Sequence, residues 1–167
     1  MTKTLILMRH AKSSWATPDM DDHKRPLNDR GVISARLLGD WLRANDYLPD
    51  EILCSSAVRT QQTCDGLNLE IAPRVMDSLY HAGIETMLSS LRKAKGDTVL
   101  MIGHNPGIAG FAEMILSDPV DHPRFDDYPT GATLVADFPD DFWASVTFGS
   151  GEAVDFTVPR ELMGETG

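Results

Sequence analysis

Leu5-Ile6-Leu7-Met8-Arg9-His10 is an apolar run of four residues that stops on an arginine and a histidine. A run of that length suits a buried parallel strand, and in open α/β sheets ligands sit in the crevice beyond the carboxyl ends of such strands. The stretch therefore predicts a central strand with Arg9 and His10 facing a crevice. Taken alone, the pair reads more simply as a polar end to a strand. Two later stretches repeat the pattern.

Glu51-Ile52-Leu53-Cys54-Ser55-Ser56, followed by Ala57-Val58-Arg59-Thr60-Gln61-Gln62-Thr63, reads as strand, serine-rich turn and helix, with Ser56 the expected N-cap. Arg59 then falls in the first helical turn, where the macrodipole favours anions. A cation there either has an anion nearby or turns outward into solvent. Thr98-Val99-Leu100-Met101-Ile102, the strongest apolar run of the chain, ends in Gly103-His104-Asn105-Pro106-Gly107. Asn105 suits an N-cap and Pro106 a first helical position, which would set His104 beside free backbone amides at a helix start. Three strand ends thus supply Arg9 with His10, Arg59, and His104. Together they describe a phosphate pocket with a nucleophile.

Four segments carry a family resemblance, in this order along the chain: Arg9-His10-Ala11-Lys12-Ser13-Ser14-Trp15, Arg25-Pro26-Leu27-Asn28-Asp29-Arg30-Gly31, Ser55-Ser56-Ala57-Val58-Arg59-Thr60-Gln61-Gln62-Thr63, and Gly103-His104-Asn105-Pro106-Gly107. They resemble the histidine phosphatase superfamily, the phosphoglycerate mutase-like group, and within it the small SixA-like phosphohistidine phosphatases. The resemblance runs from about residue 3 to the early 150s. It implies an α/β fold, a three-layer αβα sandwich with a mostly parallel central sheet and no large cap insertion. It also implies that His10 is the nucleophile, that Arg9, Arg59 and His104 bind phosphate, and that Ser13 and Asn105 are further substrate contacts. Ala11 and Ala16 stand where the mutase-like branch commonly carries Gly and Asn, which weakens a mutase assignment. Larger members place a proton-donating glutamate at the end of the third strand. In Val75-Met76-Asp77-Ser78-Leu79-Tyr80 only Asp77 is available for that role, with turn or cap duty as its alternative.

The chemistry follows from the residue types. A transferred phosphoryl group carries charge on its peripheral oxygens and needs mainly positioning and electrostatic stabilisation. The planar donor forks of Arg9 and Arg59 suit those oxygens and disfavour a third cation between them. His10 is therefore expected neutral, with a ring nitrogen free to attack phosphorus and form a phosphohistidine that water hydrolyses. Such a scheme calls for no metal or other cofactor. His104 could be cationic and clamp an oxygen, or neutral and donate one hydrogen bond.

At 167 residues the chain fits one domain, expected over residues 1–158, with 159–167 a loosely ordered tail. Helices are predicted over Asn28–Leu42, Ile84–Leu91 and Ile108–Leu116, and late strands over Ala132–Phe138 and Ser145–Phe148. In the first helix Val32, Ile33, Leu37, Leu38, Trp41 and Leu42 are the expected core face. Only Ser78 to Gly83 separates the third strand from the third helix, which predicts an open pocket better suited to a phosphorylated side chain of another protein than to a small metabolite.

A formal charge of −10 argues against a nucleic-acid surface and suggests a partner with a basic docking face. Asp19, Asp21 and Asp22 read as solvated loop residues. Cys54 and Cys64 make no disulfide framework, the N-terminus has no secretory pattern, and no segment approaches the length of a membrane span, so a cytoplasmic location is expected. The five histidines show no zinc spacing. The sequence thus points to a phosphatase acting on phosphohistidine in a protein. Its alternatives are a small-molecule phosphomonoesterase with the same site and a non-catalytic phosphate-binding module.

Overall fold

The computed structural model describes residues 2–164. Six strands, β1 (Lys3–Arg9), β2 (Glu51–Ser55), β3 (Arg74–Met76), β4 (Thr98–Gly103), β5 (Thr133–Phe138) and β6 (Glu152–Thr157), form one sheet in the order β3-β2-β4-β1-β5-β6. Pairing is parallel for β2 with β3, β2 with β4 and β1 with β4, and antiparallel from β1 to β5 to β6. The sheet is thus mostly parallel, as expected. Because β2, β4 and β1 are adjacent and point the same way, their last residues, Ser55, Gly103 and Arg9, emerge along one edge. Arg9 lies opposite Gly103, and the His10 amide donates to the Gly103 carbonyl at 3.1 Å.

Strand alternation builds two cores. Leu5 and Leu7 pack with Met87 and Leu91 of α3 (Ile84–Arg92) and Phe111 and Ile115 of α4 (Gly107–Ile115). Ile6 and Met8 point to the other face, against Leu38 and Leu42 of α1 (Asp29–Ala44) and Leu67 of α2 (Val58–Leu67). Helices on both faces of the sheet give the three layers.

The buried stripe of α1 differs from the one expected. Val32 and Ile33 are 48% and 50% exposed, whereas Gly31, Ser34, Ala35, Leu38, Gly39 and Leu42 are buried. Small residues win those positions because other backbone comes very close. A Cβ at Gly39 would lie 2.3 Å from the Leu67 carbonyl oxygen, and one at Gly31 would lie 2.1 Å from that of Lys12. The second approach seats α1 directly against the loop that follows His10.

Two further expectations change. Ser145–Phe148 is not a strand: Trp143–Ser145 form a 3-10 turn in which Ser145 Oγ donates to the Phe142 carbonyl, a local bond that competes with a ladder. The last strand is β6, whose exposed Glu152, Ala153 and Val154 give it no hydrophobic alternation, so its pairing comes from β5 and not from its own pattern. Residues Pro159–Leu162 form a short helix, α5, that packs on α1 with Pro159 buried. The end of the expected tail, 165–167, lies outside the described residues.

Candidate active site

His10 is 6% exposed and lines a pocket of about 250 Å³ at the shared strand edge. Its Nδ1–H donates to the Ala11 carbonyl at 2.7 Å, and since a carbonyl can only accept, the proton is on Nδ1. Nε2 then carries the lone pair and has no hydrogen-bond partner among the described residues. Burial is the main cause of a pKa lowered to about 4; the Ala11 bond opposes it, and Arg9 and Arg59 reinforce it. The next amide is held as well, Ala11 N–H donating to Thr63 Oγ1 on α2 at 3.0 Å.

Arg59, 5% exposed, is in the first turn of α2, and its expected anion is Asp22. Arg59 Nη2 donates to Asp22 Oδ2 at 3.0 Å and Nη1 donates to the Asp22 carbonyl at 2.7 Å. Tyr80 Oη and His81 Nε2 donate to the same Oδ2 at 2.5 and 3.2 Å. Burial alone would raise the Asp22 pKa, but the hydrogen bonds from Tyr80, His81 and Arg59 hold it well below the usual carboxylate range. The loop that delivers Asp22 is fastened by buried Arg25. Its guanidinium donates to the carbonyls of Ser14, Thr17, Pro18 and Met20 and stacks on Trp15 with 3.6 Å from Cζ to the ring centroid.

His104 is 2% exposed, its ring centroid 5.4 Å from that of His10. Arg59 Nη2 donates to His104 Nδ1 at 3.3 Å, so the ring proton is on Nε2, which donates to Ser55 Oγ at 2.7 Å. Burial first, then His10, Arg59 and His81, hold its pKa far below the ordinary histidine value. Of the two states the sequence left open, His104 is therefore in the neutral one.

The sequence model of the histidine phosphatase superfamily (branch 1) matches residues 5–81. A solved structure of a SixA-like protein from Nakamurella multipartitia superimposes with a TM-score of 0.82 at 30% identity, covering 95% of this chain and 97% of that one. The chain belongs to the histidine phosphatase superfamily. An uncharacterized protein of Mycobacterium tuberculosis is 36% identical over 162 residues, covering 92% of this chain and 100% of the relative. Phosphohistidine phosphatase SixA of Escherichia coli is 29% identical over 110 residues, 61% of this chain and 67% of that protein.

In this histidine phosphatase the strand ends bring Arg9, His10, Arg59 and His104 to one pocket, with Ser13 and Asn105 also on its wall. Arg9 is half-buried and Nη1 donates to the Tyr128 carbonyl at 3.3 Å. Asp77 is elsewhere: it stands exposed at the start of a 3-10 turn, Asp77–Leu79, and does not line the pocket. That turn leads instead to Tyr80 and His81, whose site contacts the sequence reading missed. It also missed Asp22, read as a solvated loop residue, and Ser55.

The helix starts differ in detail. Ala57, not Ser56, is the N-cap of α2; Ser55 Oγ accepts from the Ala57 amide, and Ser56 Oγ pairs with His23 Nε2. Helix α4 begins at Gly107 with Pro106 as its cap, while Asn105 Oδ1 accepts from the Ala109 amide and the His104 carbonyl accepts from Ile108. The Ala57, Ile108 and Ala109 amides are thus consumed within the fold. Among the described residues no helix is long and apolar enough to cross a membrane.

Proposed function

We propose that this histidine phosphatase is a metal-independent phosphohydrolase that carries the phosphoryl group on His10 and removes it from phosphohistidine in a protein. The supporting observation is the His10 tautomer: Nδ1–H is fixed on Ala11, leaving the Nε2 lone pair for a pocket walled by Arg9 and Arg59. The dianionic phosphoryl group seats against the two guanidinium groups, which supply charge without a metal. His10 Nε2 attacks phosphorus in line, the bond from phosphorus to the substrate nitrogen breaks, and its electron pair leaves with the imidazole. Water then attacks the phosphorylated His10, releasing phosphate and restoring the lone pair.

In this scheme His104 positions the clamp. Its ring nitrogens are engaged by Arg59 and Ser55, so a direct bond to phosphate exchanges one of these partners.

Asp22, its carboxylate engaged by Arg59 and kept ionised, is a poor proton donor, and Asp77 is outside the pocket. An alkoxide leaving group needs such a donor, whereas an imidazole protonated on its other nitrogen does not. That difference favours phosphohistidine over a phosphate ester. Comparing kcat/KM for a phosphohistidine protein with that for simple alkyl phosphates tests the preference. The protein substrate is expected to be turned over at least ~100-fold better; equal values would contradict it.

A further inference from the structure

A second depression, of about 480 Å³, adjoins the phosphoryl pocket and shares Arg9, Lys12 and Thr130 with it. Among the described residues its walls carry Arg9, Lys12, Arg30, Arg124 and Arg160 against a single carboxylate, Asp127. In a chain of net charge −10 this is a local reversal of sign, directly beside the phosphoryl pocket. Both oxygens of Asp127 accept from Arg124 at 2.9 to 3.2 Å, so that pair cancels and Arg9, Lys12, Arg30 and Arg160 carry the positive excess. The side chains of Lys12 and Arg160 have no hydrogen-bond or ion-pair partner among the described residues. Arg30 occupies the second position of α1, where the helix dipole opposes a cation. No bond within the fold therefore accounts for Lys12 and Arg160, and mutual repulsion works against gathering the cations here.

Resting on the proposed phosphohistidine substrate, we propose that this groove docks an acidic segment of the partner protein beside its phosphohistidine. The cations come from four separated parts of the chain, which suits several carboxylates spaced along a protein surface. Pro129, Val158 and Pro159 give the floor an apolar character fit for the methylene stems of Glu and Asp. Among the described residues no aromatic side chain lines the groove to stack a nucleobase, which sets a nucleotide below an acidic protein segment. The expectation of a basic partner, drawn from net charge alone, is thereby reversed next to the site. Opposite charges here would speed encounter and set register, with a strong salt dependence.

The test uses the full chain and the Arg30→Glu/Arg160→Glu variant, which leaves the phosphoryl pocket untouched. Two phosphohistidine peptides, one flanked by glutamates and one by serines, are compared with p-nitrophenyl phosphate. The wild type is expected to favour the acidic peptide by about tenfold in kcat/KM, through KM, with the preference fading as salt rises. The variant should lose that preference while its rates on the serine-flanked peptide and the aryl phosphate stay unchanged, which also reports that it has folded. Equal kcat/KM for the two peptides in the wild type, or a preference that survives in the variant, would overturn the proposal.

A binding arm separates this claim from the substrate assignment. The unphosphorylated acidic peptide should bind the wild type about tenfold or more tighter than the variant even if neither phosphopeptide is turned over. Failure to bind the wild type overturns the groove on its own, and displacement by tripolyphosphate at far lower concentration would replace the protein segment with a small polyanion.

Discussion

Burial and two guanidinium groups act on the His10 imidazole in the same direction, and the Ala11 carbonyl and the Asp22 carboxylate oppose them. A nucleophile is useful here when unprotonated, so the forces that cradle phosphate also keep its acceptor ready. The same shift ties stability to pH. Unfolded, His10 takes up a proton near the ordinary value of 6.5, while folded it does so only near 4. Between those values the unfolded state holds more protons, so stability falls as pH drops through that window, by about 3 kcal/mol from this residue. His104 is shifted the same way and adds to the loss. Urea unfolding from pH 7 to pH 4.5 should therefore show a shallower loss for His10→Asn than for the wild type. Equal slopes would mean that His10 is not held neutral.

At the level of elements, the site is assembled where three parallel strands end and a fastened loop returns. Arg9, His10 and His104 were legible because each sits at a strand end, where apolar periodicity stops abruptly, and Arg59 because it opens the helix that follows β2. Asp22, Tyr80 and His81 belong to loops and 3-10 turns without periodicity. They reach the site through tertiary bonds such as the Arg25 guanidinium on four carbonyls, and no local pattern announces them. The two acidic candidates give a direct contrast. Asp22→Asn should weaken the hold on Arg59 and lower kcat/KM by about 10- to 100-fold, whereas Asp77→Asn should leave it within about twofold. An Asp77 variant as impaired as the Asp22 variant would return proton donation to the outer turn.

Across the whole molecule, the sheet and its two helical layers were readable because strands and helices alternate along the chain. The edge strand β6 was not, since its solvent-facing half carries no hydrophobic signal and its register is imposed by β5. Nor could apolar spacing reveal that α1 buries Gly31 and Gly39, which only the closeness of neighbouring backbone makes necessary. Net charge is silent for a related reason: a sum of −10 says nothing of how cations gather around one groove. What unites these levels is the claim that the fold presents one uncharged imidazole to a phosphoryl group. The most direct measurement incubates the full chain with a phosphohistidine protein, quenches in alkali and locates phosphate by mass spectrometry. Phosphate on His10, absent together with turnover in His10→Ala, is the predicted result; turnover that persists in His10→Ala would contradict it.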